Sequence, residues 1–211
     1  MSYHGNRQIR GTTNRRTFLL TAATVGTVGF AGCLGDDDEN GEDHNGDPGN
    51  GDHEHDVDHE LGHPEEMVHV EMMSMEGKEH FIPHVVHIEV GGTVMWELVD
   101  DLEEHDTTSY HPLYNKPLRL SDEDEHWQSP EIGTQGETWS RTFEVEGVYD
   151  YFCTPHWEDD MIGRVIVGWP HPDPEEHPAL TEPGDDLDPV EQEMISMFNE
   201  QTFPVLEDGG H

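Results

Sequence analysis

An all-β sandwich is predicted for residues 66–169, and three features of the sequence predict it. Apolar density rises at Met67 and stays high to Trp169. The apolar residues come in short runs that alternate with polar ones. Gly and Pro break those runs at short intervals.

Each run reads as a strand. Val68, Val70 and Met72 alternate with polar residues, as do Val86, Ile88 and Val90. Gly91-Gly92 then reads as a turn into a second hairpin arm, Thr93 to Val99, which carries Trp96. Glu137 to Val145 alternates through Trp139 and Phe143. Gly147 turns the chain into Tyr149-Asp150-Tyr151-Phe152, and Ile162 to Val167 closes the sheet. Residues 111–136 are broken up by Pro112, Pro117, Pro130, Gly133 and Gly136. They read as a long connection between sheets, with room for one short helix.

The flanks differ from this domain. Residues 1–33 read as an export signal: Asn14-Arg15-Arg16-Thr17-Phe18-Leu19 is a twin-arginine pattern, followed by an apolar stretch from Phe18 to Ala31. That stretch is too short and too rich in Gly and Thr for a confident membrane span. Phe30-Ala31-Gly32-Cys33 resembles a lipoprotein box, which implies cleavage before Cys33 and lipid on its thiol. An uncleaved anchor helix is the alternative; either way the domain is expected outside the cell, tethered to the outer face of the membrane. Residues 34–65 are a linker of Gly, Asp, Glu, Asn and His, too polar to offset the entropy of ordering. Its five histidines, from His44 to His63, could collect metal weakly but fit a solvated tether. Residues 170–211 form an acidic C-terminal extension in which Asp188 could cap a short helix starting at Pro189 and running through Val190 to Asn199. Met194, Met197 and Phe198 would share the face that packs on the domain.

Charge narrows the range of functions. Asp and Glu number 48 against 9 Lys and Arg, a formal charge of −39. No basic surface is available to neutralise phosphates, so nucleic acid is excluded as a partner. Attraction to anionic lipid is excluded on the same ground. So acidic a surface suits a very salty environment, because the Debye length shrinks to about 3 Å at 1 M salt. Like charge also disfavours close self-association, so a monomer is expected.

The chemistry is concentrated in Cys153-Thr154-Pro155-His156-Trp157-Glu158-Asp159-Asp160-Met161. A thiolate, an imidazole and a thioether arrive on one short loop. Taken singly, the three could be a small core residue, a surface histidine and a core methionine. Together, at this spacing, they are a soft ligand set. Two imidazoles and a thiolate in a plane, with a weak axial thioether, make a blue-copper electron-transfer site. A free thiol outside the cell would also be open to oxidation, and metal ligation protects it. The fourth ligand must come from another strand. His105, His111 and His84 are candidates, and His105 is favoured because it follows a strand and the acidic turn Asp100 to Glu104. His69, His80, His87 and His126 are expected at the surface.

These residues resemble the cupredoxin superfamily, specifically its plastocyanin- and halocyanin-like members. The resemblance rests on Phe81-Ile82-Pro83, on Ile88 to Trp96 with Gly91-Gly92, on the His105-Asp106 step, and above all on Cys153 to Met161. It spans about residues 67–169. It implies an eight-stranded Greek-key β-sandwich and one copper, with His105 upstream, Cys153 and His156 equatorial, and Met161 axial. It also implies an electron carrier rather than an enzyme, meeting redox partner proteins around His156 and Trp157. Asp106 stands where such proteins usually have Asn, and the segment 111–136 is longer than their pattern. Two other functions compete. A copper-dependent oxidoreductase subunit would need a second copper centre, and a copper-delivery protein would draw on the histidine-rich linker.

Overall fold

In the computed structural model the described residues are 61–100 and 103–209. The expected export signal, Cys33 and the expected linker up to residue 60 lie outside the described residues. Seven strands and one α-helix are formed among them: β1 (Glu65–Met75), β2 (Lys78–Ile82), β3 (Val85–Leu98), β4 (Thr108–Ser109), β5 (Thr138–Phe143), β6 (Gly147–Phe152), β7 (Ile162–Val167) and α1 (Pro189–Asp208). The strand order is β2-β1-β3-β7-β6-β4, with β5 also paired to β3. β1–β2 and β6–β7 are adjacent hairpin pairs, while β3 lies between β1 and β7 and runs parallel to both, so the connections cross over as in a Greek key.

β3 is one strand where the sequence suggests a hairpin. Its first part pairs with β7, from Val85↔Arg164 to Ile88↔Val167. Its second part pairs with β5, from Gly92↔Phe143 to Glu97↔Thr138, and with β1 on the other side. Gly91 sits at φ +83°, a conformation that favours glycine, and a Cβ on Gly92 would lie 2.8 Å from the Glu89 carbonyl oxygen. The glycine pair therefore bends a continuous strand from one layer into the other. Alternation restarts at such a bend as it does after a turn, so the two look alike in sequence.

The core lies between the layers. Val70, Met72, Phe81, Val94, Trp96 and Phe143 come from one side, and Val86, Ile88, Tyr149, Tyr151, Val165 and Val167 from the other. The eighth strand implied by the family pattern is not among the described elements. Between β4 and β5 the chain instead makes isolated bridges, His105↔Ile132, Thr108↔Gln128 and Leu120↔Tyr149. The short helix expected there is replaced by two 3-10 turns, Pro112–Tyr114 and Glu123–Glu125.

The acidic extension builds a second core. Val85, Val148, Phe152, Ile162 and Ile166 point away from the sandwich interior and are covered by Ala179, Leu180, Leu187, Ile195, Phe198 and Leu206. β6 and β7 are consequently buried on both faces. α1 starts where expected, with a capping box between Asp188 and Glu191 and Pro189 in the first turn. It is twice the expected length, continuing through Pro204 to Asp208. The cause is the apolar stripe: Ile195, Phe198, Thr202 and Leu206 recur every three or four residues and are all buried.

Two histidines expected at the surface are buried instead. His80 and His87 are each 4% exposed. The His87 ring lies between the carbonyl oxygens of Leu61 and Gly168, each 2.6 Å from a ring nitrogen. Those partners come from distant parts of the chain and leave no local trace in the sequence. No helix among the described residues is long and apolar enough to cross a membrane.

Candidate metal centre

β6 delivers the thiol. Tyr149, Tyr151 and Cys153 follow each other at alternate positions, so Cys153 continues the inward face and is fully buried. The loop beyond it closes on itself. The Cys153 N–H donates to the Met161 carbonyl at 3.0 Å, and the His156 N–H donates to the Cys153 carbonyl at 3.2 Å. Trp157–Asp159 form a 3-10 turn that ends on Asp160 at φ +71°. The Asp160 carboxylate takes an ion pair from Lys78 of β2. Met161 follows, fully buried in the same core as Cys153.

His105 comes from the long connection. Its N–H donates to the Ile132 carbonyl at 2.9 Å, and its carbonyl accepts from the Ile132 N–H at 2.8 Å. That bridge sets its ring against the loop. The next residue ties the two segments together. Asp106 Oδ1 accepts the Thr154 N–H at 2.7 Å, and the Asp106 N–H points at Cys153 Sγ at 3.4 Å. The Asp106 carboxylate therefore pins the ligand loop, as an amide oxygen would.

Three donor atoms converge. His105 Nδ1 and His156 Nδ1 are 3.1 Å apart, and each lies 3.6 Å from Cys153 Sγ. A point equidistant from all three lies about 2 Å from each, near the ~2.0–2.3 Å bonds that imidazole and thiolate make to an ion such as zinc. His105 and Cys153 are fully buried and His156 is half-buried. Burial, followed by the like charge of His156, pushes the His105 imidazole down to about 4, so it stays neutral and keeps a lone pair to give. Burial pushes the Cys153 thiol far up, and a bound cation would reverse that by drawing off the proton. Two ring nitrogens and a sulfur that converge on one point, with the buried carboxylates of Glu79 and Asp106 close behind, are a donor set that fits a cation.

The structure thus brings His105 to Cys153 and His156. His111 is elsewhere: its Nδ1 accepts the Leu113 N–H, and its ring stacks on His126 with centroids 4.7 Å apart. His84 turns its Nδ1 to the Ile162 carbonyl at 2.8 Å. Trp157 lies beside His156, half-buried, with Lys116 Nζ 3.9 Å from its ring centre. Sequence reasoning passed over Glu79, whose Oε2 lies 3.3 Å from His105 Nε2. Its signal was a carboxylate two residues from buried Phe81, on the same side of a strand.

A Greek-key sandwich that gathers two imidazoles and a cysteine thiol at one end, beside a buried methionine, defines a cupredoxin. The family model of copper binding proteins of the plastocyanin/azurin family matches residues 68–168, and this domain belongs to that family. The family binds one copper, and the donor set above suits it. The chain is 36% identical over 87 residues to a halocyanin of Natronomonas pharaonis, a match covering 41% of this chain and 47% of that protein. It therefore spans about half the length of that relative. Among solved structures, the purple cupredoxin of Nitrosopumilus maritimus is 27% identical (48% of this chain, 99% of that one, TM-score 0.37). The pseudoazurin of Methylobacterium extorquens is 21% identical (64% and 98%, TM-score 0.45).

Proposed function

We propose that this protein carries single electrons on one copper ion held by His105, Cys153, His156 and Met161. The observation that supports this most directly is the buried triangle of two Nδ1 atoms and one Sγ, with edges of 3.1, 3.6 and 3.6 Å. Copper, when bound, supplies the one-electron change of charge. The chain supplies the rest. Pro155 and the closed loop hold the ligands, the core excludes water from Cys153 and Met161, and half-buried His156 reaches toward solvent. Redox partner proteins meet the surface around His156 and Trp157. The Cys33 thiol carries lipid, and the acidic linker holds the domain off the outer face of a membrane in a salty medium.

Copper loading of the full-length chain in concentrated salt tests the reading. One copper per chain, an intense visible thiolate-to-copper band and a reversible one-electron couple are expected, and Cys153→Ser removes all three. A colourless cupric form would refute the proposal. A second tightly held copper would favour the oxidoreductase, and several weakly held ions would favour delivery. Trp157→Lys should slow electron exchange with a redox protein while the colour stays.

A further inference from the structure

Glu79 is buried, 8% exposed, and its carboxylate faces the site from β2. A buried carboxylate needs hydrogen-bond donors. Both its oxygens lie close to Ser74 Oγ, at 2.5 and 2.6 Å. A hydroxyl has one proton, so it satisfies one of those oxygens at a time. Ser74 is held in turn by its N–H, which donates to Asp100 Oδ2 at 2.8 Å. The second carboxylate oxygen is left facing His105.

His105 has the complementary need. With Nδ1 in the donor triangle, the ring must carry its proton on Nε2. Nε2 is buried and makes no well-aligned hydrogen bond, although Glu79 Oε2 is 3.3 Å away. Distance and direction disagree here: the oxygen is within reach but off the N–H axis. The approach is therefore a close electrostatic contact that a small ring rotation turns into a hydrogen bond.

We infer that Glu79 is a positioning residue for the metal centre: it accepts the Nε2 proton of His105, fixes the ring so that Nδ1 faces the metal, and lends a negative charge that favours the cupric over the cuprous ion. This rests on the copper reading above. Carboxylates behind metal-bound histidines act in this way, and losing one typically weakens binding about 10- to 100-fold. The charge also reaches the thiol, since Glu79 is among the groups that oppose ionisation of Cys153. Neighbouring Lys78 grips Asp160, directly before Met161, so β2 touches the centre at two points. The competing role is structural: Ser74 and Glu79 are cross-strand partners, and their contact could serve only to close the β1–β2 hairpin.

The test uses full-length copper-loaded protein with Glu79→Gln and Glu79→Ala. Glu79→Gln should stay blue, with its Cu(II)/Cu(I) equilibrium shifted about tenfold toward Cu(I), a potential higher by ~59 mV for one electron. Glu79→Ala should bind cupric ion about 10- to 100-fold more weakly. Unchanged potential and affinity in both variants, with only a lower Tm, would overturn the inference and leave the hairpin role. Nitrogen-15 NMR of wild-type cuprous protein needs no variant. It should show the His105 Nε2–H far downfield, and an ordinary imidazole position would also overturn the inference. If wild-type protein takes up no coloured copper, the copper reading itself has failed.

Discussion

Asp150 and Arg164 face each other across the β6–β7 ladder as register partners, and neither side chain touches solvent. The guanidinium meets the carboxylate twice, at 2.7 and 3.1 Å. Arg164 then continues outward to Asn199 Oδ1 and Thr202 Oγ1 of α1 and to the Ala179 carbonyl. Arg119 binds the same aspartate at 2.8 Å and also reaches the Thr181 carbonyl. This network fastens the C-terminal extension to the sheet that carries Cys153.

Replacing Asp150 with Ala should therefore be severe. It leaves two buried guanidinium groups without their countercharge, and breaking a buried pair typically costs ~3–5 kcal/mol. Denaturant unfolding in concentrated salt checks this, and a loss below ~1 kcal/mol would contradict it.

Gly163→Ala should destabilise the fold without touching a ligand. A Cβ there would lie 2.3 Å from the Tyr151 ring, which is fully buried between Phe81 and Trp96. Overpacking of this kind costs ~1–3 kcal/mol. Thermal unfolding measures it, and an unchanged Tm would show that the ring has room to move.

Asp106→Ala should loosen the ligand loop by removing the acceptor of the Thr154 N–H. Cupric affinity should fall about 10-fold or more, and Asp106→Asn should restore most of it. Competition with a chelator reads both, and equal affinities in all three proteins would count against the pinning role.

The metal-free protein should lose stability in mild acid. The His105 imidazole is depressed from its ordinary 6.5 to about 4, so between those values the unfolded chain holds a proton that the fold excludes. The contribution is complete above about 6.5 and lost as pH falls toward 4, roughly 3 kcal/mol at about 1.4 kcal/mol per unit. His177, lowered chiefly by burial, acts in the same direction. Unfolding at about pH 7.5 and about pH 5 should differ less in His105→Gln than in wild type, and an equal difference in the two would refute the assignment.

Much of this was legible in the sequence because it is local. The ligand loop declares itself by three donor types within nine residues, and the strands by their alternation. β6 and β7 could be placed, yet their burial on both faces depended on an extension whose composition reads as acidic tail. The spacing of Ile195, Phe198, Thr202 and Leu206 was there to be read, but it was diluted by the polar residues Ser196, Asn199, Glu200 and Gln201 and by Pro204 between them. His80 and His87 misled for a different reason. Nothing near them in sequence tells a buried imidazole from an exposed one when its partners lie far along the chain. Glu79 was lost similarly: its pairing with His105 crosses 26 positions and the whole of β3.

The bend at Gly91 has a mechanical consequence. One uninterrupted backbone serves both walls of the barrel-like frame, so the walls share a spine and cannot slide past each other without tearing it. The thiol hangs from one wall, and Glu79 leans in from the other. Walls joined through one strand should keep donor spacing nearly constant while the charge at the tip changes.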